Sequence, residues 1–149
     1  MAFFSRLRAQ RAATRELGEG VWRRAHDRFE RSLDRVFQVV EGITDDQVYN
    51  QLVKEANEMA DLLPTVRQLC CMAHQLTPSN DEHIPQSTAG VHRSLTKSAN
   101  DLATTAQVIA MMRMQAEAGE NIDIESVRHR AQLVKEDVGR AAQLLTESE

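Results

Sequence analysis

A chain of 149 residues is long enough to bury one core without disulfide or metal staples. Hydrophobic residues make up 42% and aromatics only 4%, so the core must be aliphatic, which favours helices over a β-sandwich. The net charge of −4 conceals a split, because residues 1–35 hold nine arginines against five acids and residues 36–149 hold nine basic against seventeen acidic residues. A basic first segment on an acidic body implies contact with something anionic, or with the body of a neighbouring molecule; the plainer reading is a solvated helix face. The acidic body and the scarcity of aromatics to stack on bases argue against nucleic acid.

Six glycines and three prolines leave little material for turns, so few, long elements are expected. Cys70 and Cys71 are adjacent within a helical pattern, where successive side chains diverge by about 100° and cannot pair comfortably. Reduced thiols and a cytoplasmic protein are therefore expected. No apolar run approaches the roughly 20 residues of a membrane span. Phe3-Phe4 is followed at once by Arg6 and Arg8 rather than by the apolar segment of a secretory signal. Arginine outnumbers lysine fifteen to three, a composition compatible with a GC-rich bacterial genome.

In chain order, residues 1–19 read as a basic amphipathic arm and residues 20–149 as a helical bundle. The arm has no acid before Glu16; Phe3, Leu7, Thr14 and Leu17 share one side of a helical wheel, flanked by Arg6, Arg8, Arg11 and Arg15. Gly18 and Gly20 then suggest a flexible joint. Three readings compete for the arm: a helix docked on its own bundle, a contact for a partner or a membrane surface, and an organellar transit peptide. The last ranks lowest because the body looks bacterial.

The bundle helices are expected at about 21–41, 45–76, 86–118 and 123–146. The first carries Trp22, His26, Phe29, Leu33, Val36 and Val40 along one seam, with Gly42 placed for a left-handed cap. Thr44-Asp45-Asp46-Gln47 has the pattern of a capping box with Thr44 as N-cap. The second helix should kink, without changing direction, near Leu62-Leu63 because Pro64 removes a donor and crowds the preceding turn. Residues 77–85, with Pro78 and Pro85, form the main loop. The third helix has an apolar seam and, beside it, a small-residue stripe of Ala99, Ala103, Ala106 and Ala110. The fourth should begin with Asp123 as N-cap and Ile122 stapled to Val127, and should fray after Leu145.

The second and third helices read as two facing heptad seams, from Val48 to Leu76 and from Val91 to Ala116. Together the elements predict an all-α, antiparallel up-down-up-down four-helix bundle with an N-terminal amphipathic helical arm.

Candidate chemistry is sparse. Cys70 and His74 lie four apart on one helix face, a folded hairpin would bring His92 to their level, and His83 in the loop could approach from the end. Thiolate and imidazole are good zinc ligands, but this spacing fits no established zinc pattern, so no metal or cofactor is assigned. Glu55 occupies an apolar slot, with Thr105 and Ser32 expected near its level, and reads as a register-fixing contact or as a ligand-contacting acid in a pocket. His26 should fall near Asp61. Met111, Met112 and Met114 point in different directions, so some should be exposed on an adaptable surface. There is no Glu-x-x-His pair, P-loop, dinucleotide fingerprint or Gly-x-Ser-x-Gly elbow.

These residues predict a non-enzymatic interaction or scaffold module. Its arm, through Phe3, Phe4, Arg6, Leu7, Arg8, Arg11 and Arg15, would meet an acidic protein or an anionic membrane face. The rival expectation is a metal- or small-ligand-binding bundle using Cys70, His74 and His92 or a pocket near Glu55. Self-association stays open, because heptad seams pair between chains as well as within one.

Overall fold

Aliphatic stripes at helical spacing dominate the chain, and the structure answers them with helices alone. The computed structural model describes residues 2–149, with α1 at Ala2–Leu17, α2 at Val21–Val40, α3 at Asp46–Ala60, α4 at Leu63–Leu76, α5 at Ala89–Glu117 and α6 at Glu125–Ser148. A single 3-10 turn, Gln86–Thr88, precedes α5. Four helical walls, with α3 and α4 sharing one, enclose an aliphatic core around Trp22, Phe29, Leu52, Met59, Leu102 and Ile109, all fully buried. α1 stands outside this square and packs on α2 and α4.

Helix directions alternate, as expected, but the neighbours differ from the expected hairpin. α5 packs closely on α2 and α6, whereas α3 and α4 pack on α2 and α6. The α3–α4 wall and α5 therefore sit on a diagonal instead of sharing a seam. Trp22 at the start of α2 meets His92 at the start of α5, and Gly42 just past the end of α2 meets Arg113 near the end of α5, so these two helices run parallel. The connection makes this arrangement accessible. Nine extended residues, Thr77–Pro85, reach up to roughly 30 Å, ample for crossing the end of a bundle whose helices stand about 10 Å apart.

Local rules explain most element boundaries, with some corrections. Asp45, not Thr44, caps α3 by accepting the Val48 N–H at 3.0 Å. The kink expected at Pro64 is a complete break. α3 ends at Ala60, and Pro64 falls in the first turn of α4, where its missing donor leaves nothing unpaired. Asp61 and Leu62 keep right-handed conformations, and both halves rest on the same neighbours, so the wall continues past the break.

Gly42 does not supply a left-handed cap; its missing side chain makes room for Arg113. Left-handed glycines instead follow α1, at Gly18, and α5, at Gly119 with φ +76°. There the Gly119 N–H bonds Ala116 O at 3.1 Å and the Glu120 N–H bonds Gln115 O at 2.9 Å, the paired closure of a Schellman motif. Asp123 does act at the start of α6, accepting the Glu125 N–H at 2.9 Å, though the helix proper begins two residues beyond it. The last residues stay helical to Ser148, whose hydroxyl donates to Leu144 O at 2.8 Å.

Candidate functional site

The N-terminal helix is built in two parts. Its last turn is fastened to the bundle: Ala13 and Leu17 are buried, and Glu16 pairs with Arg67 of α4 at 2.6 Å. Gly18, at φ +74°, presses against the His74 ring so closely that a Cβ would overlap it. Gly20 lies equally close to Ser79, so the expected flexible joint is a packed corner. The first turns, by contrast, project outward. Phe3 and Phe4 are 69% and 56% exposed and form an edge-to-face pair at 5.7 Å, with Leu7 half-buried behind them. Among the described residues, Arg6, Arg8, Arg11 and Arg15 form no ion pair. Leu7, Arg11 and Arg15 border a shallow depression of about 500 Å³. The helix thus ends in an apolar tip with an uncompensated cationic collar.

The proposed ligand trio does not assemble. His74 Nδ1 accepts the Ser79 N–H at 3.1 Å, and the ring is clamped by Gly18. His92 stands edge-on to Trp22, with centroids 5.8 Å apart. Cys70 is buried against α2, and burial first, then the neighbouring Cys71 and Asp27, push its thiol up to about 12 against a backbone contact at His26. A thiol so held stays protonated and is a poor ligand or nucleophile. His83 lies exposed in the loop, and among the described residues no three His, Cys, Asp or Glu side chains are placed to hold a metal ion. The diagonal placement of α4 and α5 is the physical reason for the separation.

The polar layer is also rearranged. Glu55 is buried, but its partner is Arg128 of α6 at 3.6 Å. Thr105 turns back on its own helix and donates to Asp101 O at 2.7 Å. His26 Nδ1 lies 2.9 Å from Asp27 Oδ1 on its own helix, so its partner is not Asp61. Met112 is buried while Met111 and Met114 are exposed, as the divergent directions implied.

Two features escaped the sequence reading. The first is a carboxylate pair between α5 and α6. Lys97 Nζ bridges Asp101 Oδ2 at 2.9 Å and Asp137 Oδ1 at 3.0 Å. Asp137 is 8% exposed, within the apolar seam of α6. Burial, then a hydrogen bond shared with Asp101, raise its carboxyl to about 6 against the pull of Lys97. Burial acts on Asp101 too, but Asp137, Lys97 and Arg130 outweigh it and hold that carboxyl below its ordinary value.

The second is a groove of about 470 Å³ between α2 and α5. Arg28, Arg31, Ser32 and Arg35 wall it, and Ala103, Ala106 and Ala110 line it with Gln107. The signal was present as two matching stripes, Arg24-Arg28-Arg31-Arg35 and Ala99-Ala103-Ala106-Ala110, each at steps of four, three and four. A charge total alone could not reveal that the two stripes would meet.

No helix among the described residues is long and apolar enough to cross a membrane. Comparison with protein-family models, with curated proteins and with solved structures finds no match for the chain.

Proposed function

We propose that the protein is a non-enzymatic helical interaction module, placed in the cytoplasm or peripherally at its membrane face, whose N-terminal helix engages an anionic surface of an acidic protein or a membrane. The observation that carries this reading is the division of α1: a last turn fixed by Leu17, Glu16–Arg67 and Gly18–His74, and a first half that leaves Phe3 and Phe4 exposed among unpaired arginines. A rigid anchor reduces the entropy lost when such a helix binds. The aromatic rings supply area at low rotamer cost, and the arginines supply attraction that salt weakens. Near an anionic surface each basic residue contributes on the order of 1 kcal/mol.

The test uses the full chain and a Phe3→Ser/Arg6→Glu/Arg8→Glu variant, which leaves the buried anchor intact. Sedimentation with phosphatidylserine vesicles probes the membrane, and affinity capture from the native cell probes an acidic protein. The variant should bind at least about tenfold more weakly in whichever assay retains the parent. Equal retention of both proteins in both assays would remove the arm from the account.

A further inference from the structure

An exposed arginine either pairs with an acid or is solvated, and α2 carries both kinds. On α2, Arg23 pairs with Asp27 at 3.1 Å and Arg24 lies 4.0 Å from Glu82. The three arginines that follow behave differently. Among the described residues, Arg28 and Arg31 form no hydrogen bond or ion pair, and Arg35 donates only to the neutral Gln38 amide at 2.9 Å. Asp34 stands three residues from Arg31, within pairing reach on the same helix, yet the two form no ion pair. Like charges at steps of three and four repel, so the ridge works against the stability of α2.

All three arginines wall the same groove, and no carboxylate lines it. The Ser32 hydroxyl and the Gln107 amide add neutral donors. On the α5 side Ala103, Ala106 and Ala110 carry nothing beyond Cβ, which leaves about 470 Å³ free, a volume ordinary for a small-molecule site. Arg35 and Ala110 are shared with a second hollow of about 430 Å³, at whose far end Arg113 is already paired with Glu117 at 3.3 Å. In a protein of net charge −4, this is a locally cationic cleft with hydrogen-bond donors and an open floor.

We infer that the α2–α5 groove binds a ligand carrying at least two phosphoryl groups, held by Arg28, Arg31 and Arg35 with Ser32 and Gln107. The guanidinium fork matches phosphate oxygens two at a time. Two phosphoryl groups bring roughly three to four negative charges, matching three arginines. Arg28 and Arg35 are seven residues apart on one helix, about 10 Å along its axis, which spaces the donors for a chain of phosphates rather than a single ion. The site is independent of the N-terminal arm.

Titration with inorganic tripolyphosphate, followed by calorimetry and amide NMR, tests the inference. Saturable binding of one equivalent below about 1 mM is expected, with the largest shifts in residues 28–35 and 103–110. An Arg31→Gln/Arg35→Gln variant should lose at least about tenfold in affinity. Ala103→Leu fills the exposed floor without changing charge and with little loss of helix propensity, and should weaken binding comparably. The Phe3→Ser/Arg6→Glu/Arg8→Glu variant should bind tripolyphosphate as the parent does.

Circular dichroism and melting confirm that each variant folds. Displacement of tripolyphosphate by a nucleoside diphosphate assigns the source to a free nucleotide. Sedimentation with vesicles bearing a bisphosphorylated headgroup, lost in the groove variants, assigns it to a lipid, and either result supports the phosphoryl chemistry. Three results overturn the inference: affinity unchanged in both groove variants, no saturable binding, or citrate binding as tightly as tripolyphosphate. The last would make carboxylates, such as those of an acidic partner helix, the groove's occupant.

Discussion

The two ends of the bundle are closed in different ways. At the end that holds the start of α2, residues far apart in sequence are stitched together. Ser79 Oγ accepts the Val21 N–H at 3.0 Å, capping α2 from the distant loop, and Trp22 Nε1 donates to Thr77 O at 3.0 Å. Thr77 and Thr88 hydroxyls bond each other at 2.8 Å, His74 accepts from the Ser79 N–H, and Ser148 reaches Ser87 O at 3.3 Å. At the opposite end the closures are local: Asp45 caps its own helix, Tyr49 reaches Glu41, Gly119 ends α5 and Asp123 starts α6. Local closures can open one at a time, whereas a stitched end opens only as a unit. The N-terminal helix is anchored at the stitched end, so its exposed tip is held by the most cross-connected part of the molecule.

Substitutions at matched positions should expose this difference. The largest effect is expected for Gly18→Ala at the stitched end. A left-handed alanine combined with displacement of His74, and loss of its bond to Ser79, should lower stability by about 2–4 kcal/mol in urea unfolding. Ser79→Ala removes the distant cap of α2 and strands the Val21 N–H; a loss of about 1–2 kcal/mol is expected by the same measurement. Gly119→Ala at the opposite end has the same backbone conformation but meets nothing within 4 Å, so the loss should stay near 1 kcal/mol. If Gly18→Ala and Gly119→Ala prove equal, the packed corner at α1 constrains the fold no more than an open helix cap does.

The smallest effect lies between the ends, in the α5–α6 carboxylate pair. A carboxyl raised to about 6 binds its proton more tightly in the folded than in the unfolded chain. Its contribution is therefore fully present in acid and is lost as pH rises toward and through about 6. Asp101, held low, acts in the opposite direction and offsets part of it. Asp137→Asn should flatten the stability profile between about pH 4 and pH 7, with a net difference from the parent on the order of 1 kcal/mol. Parallel profiles for the two proteins would show that Asp137 titrates normally.

Periodicity and local chemistry were enough to place the helical segments apart from the break between α3 and α4, the apolar face of each, the loop at residues 77–85 and the cationic character of the arm, because these depend on spacing along one chain. Even at Thr44 and Asp123 the cap is displaced by only one residue, and Asp123 still accepts the Glu125 N–H. What sequence could not settle was which walls touch. Four amphipathic walls can close a square in more than one order. The long 77–88 connection permits the diagonal, in which α2 and α5 pack side by side in parallel.

That single tertiary choice separates Cys70 and His74 from His92, gives Glu55 to Arg128 and aligns the arginines of α2 over the alanines of α5. Each helix's own face is written in its period. The meeting of two faces depends on packing and loop reach, and the chemistry of this molecule lies where faces meet.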